Sequence, residues 1–312
     1  MRRNMQQTGG RRARRWGAAV TASTAAFAVA VPAATAEAAT GPAGIAAKGA
    51  FLLDSGPNKQ LWAKDADTPR QMASTTKIMT AAVVLGTRGV NLNKQITIKK
   101  SYRDYVAKNG ASTADLRVGD KLTVRQLLYG LMLPSGCDAA YALADNFGTG
   151  KTEAARTKSF VAQMNKKAAA LGMKNTKYDS FDGISQAGTN HSTPRDIAKL
   201  ARHAMGNSTF TTVVKAASTR QKATNVNRTY TWYNTNKLLG SYKGAVGIKT
   251  GTGTAAGPCL VFAAQRGKRT VVGVILNDPT QRYPDAVKML DWSFDTTSKV
   301  KLRQLPSLAQ QD

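Results

Sequence analysis

Three short runs near the C-terminal end, GAVGIKTG (244–251), PCLVFAAQ (258–265) and RTVVGVILN (269–277), constrain the fold more than any other part of this sequence. They are rich in β-branched and small apolar residues, and Gly-rich turns divide them, so they read as an antiparallel meander. The other end of the chain adds strand of its own. From Lys48 to Ala63 it reads strand, turn, strand, with Ser55-Gly56-Pro57-Asn58 supplying the turn chemistry. Strands at both ends and helices between them imply one sheet built from both termini, with a helical subdomain inserted: a mixed α/β fold.

The helices announce themselves in different ways. STTKIMTAAVVLG (74–86) is apolar on nearly every side after its first turn, the pattern of a buried helix. Thr123 and Gln126 form a capping box ahead of 124–133. Further helices are expected over 138–147, over about 153–171 with Gly172 as the stop, and from Thr193-Pro194-Arg195-Asp196 to near Gly206. A last helix, about 284–294, precedes a polar tail. The sequence shows no internal repeat.

The first forty residues read as an export signal. Six arginines (Arg2, Arg3, Arg11, Arg12, Arg14, Arg15) precede an alanine-rich apolar run from Trp16 to Val31, and small residues follow as Ala34-Thr35-Ala36 and Ala36-Glu37-Ala38. Cleavage is expected between Ala36 and Thr40, by the general rather than the twin-arginine route. The apolar run is too short and too broken for a good membrane span. The full chain carries +27; a net five positive charges fall in residues 1–39, which leaves +22 for the rest. Such a surface is either a solvated basic face or a means of retention on anionic wall polymers or lipid headgroups. Nucleic acid is not expected as a partner, because no nucleic-acid module is present.

Exclusion narrows the chemistry. With two histidines (His191 and His203) and no Gly-x-Ser-x-Gly elbow, a serine–histidine–acid hydrolase has little to work with. His-Glu-x-x-His and Cys-x-x-Cys are absent, as are the Walker and Rossmann glycine patterns, so neither metal nor cofactor is expected. One chemistry finds its parts. In Ser74-Thr75-Thr76-Lys77 the serine and lysine, three apart, share one helical face. A serine hydroxyl is a weak nucleophile until a base takes its proton, and a neutral lysine is such a base. Desolvation or a neighbouring positive charge favours the neutral amine. Alone the pattern is weak: Ser298-Lys299-Val300-Lys301 repeats it in the polar tail.

A second part is Lys249-Thr250-Gly251. On a strand lining a cleft, Lys249 offers fixed positive charge to a substrate carboxylate and favours the neutral form of Lys77. Thr250 can donate to the same carboxylate, and Gly251 lets a backbone approach closely. The N–H groups of Thr252 and Ser74 are placed to hold an acyl oxyanion. A third part is Ser135-Gly136-Cys137, in a turn between two helices.

With Ser-x-x-Lys, Ser-x-Cys and Lys-Thr-Gly in that order, the chain resembles the low-molecular-mass penicillin-binding proteins, the D-alanyl-D-alanine peptidases of cell-wall synthesis. The likeness runs from about Ala47 to Phe294 and includes ASTTKIMTA, LRVGDKLTVRQLLYGLMLPSGCDAA, STPRDIAKLA and YKGAVGIKTGTGTAAGPCLVFAA. It departs at Cys137, where most members have asparagine, and there it resembles a branch of Gram-positive DD-transpeptidases. The resemblance implies a five-stranded antiparallel sheet flanked by helices, plus an all-helical subdomain, with the cleft between. The expected domains are a signal peptide (1–39), a DD-peptidase domain (40–295) and a polar tail (296–312). Within the domain, the sheet subdomain covers about 45–85 and 207–295 and the helical one about 86–206. Neither the additional C-terminal β domain nor the anchor helix of many members is expected.

Carried over by resemblance, Ser74 is the acylated nucleophile, Lys77 its base and Ser135 a proton relay to the leaving D-alanine. Lys249 and Thr250 hold the terminal carboxylate, with Cys137, Gly251 and Thr252 also lining the substrate site. The implied partners are peptidoglycan stem peptides, with β-lactams as covalent inhibitors, for a monomer outside the cytoplasmic membrane or in the wall. Water as acceptor gives carboxypeptidase activity and an amine gives transpeptidation; the weaker hydrogen bonding of a thiol leads to the expectation that transpeptidation is favoured. A class A β-lactamase is the nearest rival, but Glu-x-x-Leu-Asn is missing between Cys137 and Lys249, where Asp179 and Asp182 are the acids available. A non-catalytic wall-binding scaffold is the other. Cys137 and Cys259 leave three readings open: a disulfide, a buried small residue, or an occupant of the cleft.

Overall fold

The computed structural model describes residues 41–280, 282–307 and 309. The basic leader and the cleavage region lie outside them. Among the described residues no helix is long and apolar enough to cross a membrane.

Five strands form one antiparallel sheet: β1 (Gly49–Asp54), β2 (Lys59–Lys64), β3 (Ala245–Gly251), β4 (Cys259–Arg266) and β5 (Arg269–Leu276), in the order β2-β1-β5-β4-β3. The strand from the N-terminal part of the chain thus lies between its hairpin mate and the last strand, with Gly49 opposite Leu276 and Asp54 opposite Val271. Strands β4 and β5 are buried along almost their whole length, which is why their sequences read as continuous apolar runs rather than alternating ones. Alternate side chains enter two different cores. Phe51, Leu53, Val261, Ala263, Val272 and Val274 face one way. Ala50, Leu52, Leu260, Phe262, Val271 and Ile275 face the other.

Eight α-helices complete the described fold: α1 (Lys77–Leu85), α2 (Lys100–Asn109), α3 (Val124–Met132), α4 (Cys137–Phe147), α5 (Glu153–Ala170), α6 (Pro194–Met205), α7 (Ser208–Lys215) and α8 (Arg282–Ser293). The larger core joins one sheet face to α1, α3, α4, α6 and α7, and α1 is buried on all sides, as its sequence implies. The smaller core seats α8 through Tyr283, Ala286, Met289 and Leu290. The capping box at Thr123 is present with both bonds, and the Thr193 side chain caps α6.

Two helices and a hairpin go beyond the sequence reading. Helix α2 is polar, burying only Tyr102 and Val106. Helix α7 (STFTTVVK) is β-branched enough to pass for strand, but the Asn207 side chain accepts from Phe210 N at 3.1 Å and starts a helix there. The strands Ser218–Lys222 and Thr229–Tyr233 pair separately from the main sheet. The segment after α8 is docked: Val300 and Leu302 pack on the smaller core, and Arg303 donates to the main-chain oxygens of Ala217, Asn234 and Asn236.

Candidate active site

Ser74 belongs to a 3₁₀ turn, Ala73–Thr76, that runs directly into α1 at Lys77. The Lys77 amine lies 2.8 Å from Ser74 Oγ and donates to the main-chain oxygen of Asp182 at 2.9 Å. Lys77 is fully buried. Its cover is the loop 179–190, which is sewn to α1 by Thr80, donating to Phe181 O, and by Asn190, donating to Thr76 Oγ1.

Two close approaches bring the rest of the site to this turn. A Cβ on Gly251 would stand 3.0 Å from Ser74 N and 3.1 Å from Thr75 N. The bare position that the sequence assigns to substrate approach is thus occupied by the protein's own turn at Ser74 and Thr75. On the other side Gly183 has φ +101 and sits where a Cβ would meet Ala73 O at 2.1 Å. Only glycine fits there. The end of β3 and the loop 179–190 therefore clasp Ser74 between them.

Strain marks the same place. Among the described residues, the non-glycines with positive φ are Asn or Asp, which tolerate that conformation, except Ala73 (φ 45) and Ser135 (φ 65). Ser135 is buried, and among the described residues its hydroxyl has no hydrogen-bond partner. An unmet buried hydroxyl costs about 1–3 kcal/mol. Its main-chain oxygen accepts from Ser112 Oγ at 2.7 Å.

Helix α4 begins at Cys137, one residue earlier than the turn read from the sequence, because the Asp138 carboxylate takes the N–H of Ala139 and fixes the first turn. The Cys137 thiol lies 3.7 Å from Ser112 Oγ. Burial pushes it up to about 12, with Lys77 pulling down and Asp182 adding to the rise. It is a neutral thiol at physiological pH. Cys259 is buried with its thiol against the main-chain oxygens of Ala256 and Gly257, and no disulfide joins it to Cys137.

Lys249 and Thr250 are buried on β3. Lys249 Nζ donates to Thr250 O at 3.1 Å and approaches Thr250 Oγ1 at 3.5 Å. Thr252, exposed just beyond, accepts at Oγ1 from Arg282, which also donates to Gly251 O and Cys259 O at 2.9 and 3.1 Å. A cleft of about 680 Å³ is lined by Ser74, Cys137 and Thr252, together with Ser112, Gly183 and Ile184. Lys77, Ser135, Lys249, Thr250 and Gly251 are not among the lining residues; Lys77 reaches the cleft through Ser74 Oγ, and Ser135 through its main-chain oxygen on Ser112 Oγ.

Sequence reasoning missed Ser112, Thr235 and Arg282, and gave Asp182 no place in the site. They come from loops and a helix start and carry no motif of their own. The two loop acids are both engaged: Asp182 accepts from Tyr105 OH and Ile184 N, and Asp179 from Ser185 and Thr189. Both carboxylate oxygens of Asp182 are taken, whereas Asp179 accepts only at Oδ2 and its Oδ1 is buried without a partner among the described residues.

The family model described as D-alanyl-D-alanine carboxypeptidase matches residues 34–280. A D-alanyl-D-alanine carboxypeptidase of Streptomyces sp. strain K15 is 54% identical over 256 residues, covering 80% of this chain and 88% of its own length. One from Bacillus subtilis is 30% identical over 275 residues, covering 83% and 68%. The crystal structure of the Streptomyces K15 DD-transpeptidase superposes with a TM-score of 0.79 at 54% identity, covering 82% of this chain and 99% of that one. A D-alanyl-D-alanine carboxypeptidase structure from Mycobacterium tuberculosis gives 0.72 at 29% identity, covering 85% and 100%.

Proposed function

The chain belongs to the D-alanyl-D-alanine carboxypeptidase family, peptidase family S11, and from that membership and the geometry above we propose how its residues divide the work. It is a serine DD-carboxypeptidase/transpeptidase, acting on peptidoglycan peptides. Ser74 is the acylated nucleophile and Lys77 its base. The observation that carries this is the 2.8 Å separation of Lys77 Nζ and Ser74 Oγ on a buried helix start. As the base, Lys77 holds the Asp182 carbonyl with one N–H and takes the Ser74 proton onto its nitrogen. Attack on the penultimate D-Ala carbonyl gives a tetrahedral oxyanion, held by the N–H groups of Ser74 and Thr252. The buried Ser135 hydroxyl relays the proton: it gives its own to the departing D-alanine amine as the C–N bond breaks and takes in return the one that Lys77 received from Ser74. Lys249 and Thr250 hold the terminal carboxylate of the substrate.

Deacylation is the branch point, and we assign it to an amine acceptor over water. The buried, neutral Cys137 thiol offers a water no base, and Asp182 already accepts from Tyr105 OH and Ile184 N. A rising glycine-type amine concentration is expected to divert a stem-peptide analogue from hydrolysis to transfer; hydrolysis dominating at every amine concentration would overturn the assignment.

The leader reading places the protein outside the cytoplasmic membrane, as a monomer whose basic surface of +22 favours anionic wall polymers or headgroups. Fluorescent penicillin tests the core of the scheme. One adduct per chain on the Ser74 peptide is expected, lasting many minutes and absent from Ser74→Ala. Fast multiple turnover of a chromogenic cephalosporin would point to a β-lactamase instead, and no labelling at all would point to a scaffold.

A further inference from the structure

Thr235 is buried, and its hydroxyl lies 2.5 Å from Thr250 Oγ1. Its backbone is held from three directions. The N–H of Thr235 donates to Leu133 O at 3.2 Å, its carbonyl accepts from Tyr283 OH at 2.9 Å, and Arg303 clamps the carbonyls on either side, Asn234 O and Asn236 O. Leu133 is two residues before Ser135. Thr235 is thus the point at which the Ser135 loop, the Lys249-Thr250-Gly251 strand, helix α8 and the docked C-terminal segment meet.

From this we infer that Thr235 is a positioning residue for recognition of the substrate carboxylate: its hydroxyl donates to Thr250 Oγ1 and so aims the Thr250 proton at the substrate. The step follows from counting. A threonine hydroxyl has one proton and two lone pairs. Thr250 Oγ1 has the Lys249 ammonium at 3.5 Å, which only donates, and the Thr235 hydroxyl at 2.5 Å. When both donate, the lone pairs of Thr250 are used and its own O–H is left to point away from them, into the carboxylate subsite. A hydroxyl that accepts one bond while donating another is also a stronger donor. Without the partner, Thr250 is free to turn in its pocket, and the ordering must then be supplied by the substrate.

The inference rests on the reading that Lys249 and Thr250 hold the carboxylate, and the test separates the two. Acylation is timed with a matched pair of acyl-D-alanyl thioesters whose leaving group is mercaptoacetate, which bears a carboxylate, or its uncharged methyl ester. The wild type and Thr250→Val establish the carboxylate reading: the wild type prefers the charged substrate and Thr250→Val loses that preference. Thr235→Val, which keeps the volume and removes the hydroxyl, is expected to lower acylation by the charged thioester roughly five- to tenfold, about what one hydrogen bond is worth. It leaves the uncharged thioester unchanged, and Thr235→Ser restores the preference. Should Thr235→Val fail to fold, Thr235→Ala carries the same comparison. An equal loss on both thioesters, or no rescue by serine, overturns the inference while leaving the carboxylate reading standing. No preference in the wild type overturns both.

Discussion

Asp138 and Ser135 lie three residues apart, both out of contact with solvent, and the protein treats them in opposite ways. The Asp138 carboxylate accepts from Arg103 Nη1, Thr113 Oγ1 and the N–H groups of Ala114, Leu116 and Ala139, all between 2.8 and 3.0 Å. The Ser135 hydroxyl, on a residue forced into left-handed backbone, is offered nothing. A second acid in the helical part, Asp145, repeats the first pattern with Arg156, Lys99 and Tyr102. Buried charge that is completely satisfied builds scaffold, here the loop 112–116 at the rim of the cleft. Buried polarity that is left unmet, next to strained backbone, is held ready for something that arrives later.

The comparison is tested most strongly at Lys77, buried like Asp138 and hydrogen-bonded to Ser74 Oγ and Asp182 O. Lys77→Met is expected to slow acylation by fluorescent penicillin about 10³- to 10⁴-fold, or ~4–5.5 kcal/mol, measured by rapid-mixing fluorescence. Asp138→Ala strips the carboxylate from Arg103, Thr113, two loop N–H groups and one in α4, and urea unfolding should show a loss of about 3–5 kcal/mol. If Asp138→Ala proved as stable as wild type but inactive, the division between scaffold and site would fail. Ser135→Ala is the reverse case. It is expected to lower acylation about 10²-fold, while folding stability stays level or rises by about 1 kcal/mol as the unmet hydroxyl is removed.

The smallest effect is a slope with pH. Burial pushes the Asp145 carboxyl up, but hydrogen bonds from Arg156, Lys99 and Tyr102 outweigh it and hold the group below its ordinary 3.8. Its contribution to stability is therefore complete above that value and lost as pH falls through the lower folded one. Urea midpoints taken from pH 5 downwards should decline more steeply for wild type than for Asp145→Asn; equal slopes would mean the ion pairs contribute nothing specific.

Those same two regions differ in how far the sequence reveals them. Ser74, Lys77, Lys249 and Thr250 are legible because helix and strand periodicity fix their neighbours locally, and the apolar runs of β4 and β5 and the capped starts of α3 and α6 are legible for the same reason. The partners that complete the site are not. Asp182 acts through a main-chain oxygen, which has no residue signature. Thr235 sits in an Asn-Thr-Asn loop whose meaning depends on a strand fifteen positions away in the chain, and Gly183 matters only because Ala73 comes close to it. Helix α2 was illegible for want of an apolar stripe, and α7 because its β-branched residues favour strand while tertiary packing and the Asn207 cap favour helix.

The placement of β1 has a kinetic consequence. It is bordered on one side by β5, and Ala46, just before it, donates to Asp285 across 239 residues of chain. A growing polypeptide makes β1, then the residues of seven helices, before the strand that β1 needs exists. The sheet can be completed only once residues up to Leu276 are available, and contacts of such long range make folding slow. Chains ending before Arg269 are expected to collapse with native-like helices and an open sheet, binding hydrophobic dyes, and to gain penicillin labelling only when the missing strands are supplied. For this enzyme, competence is acquired all at once, when the last strand of the sheet has been made.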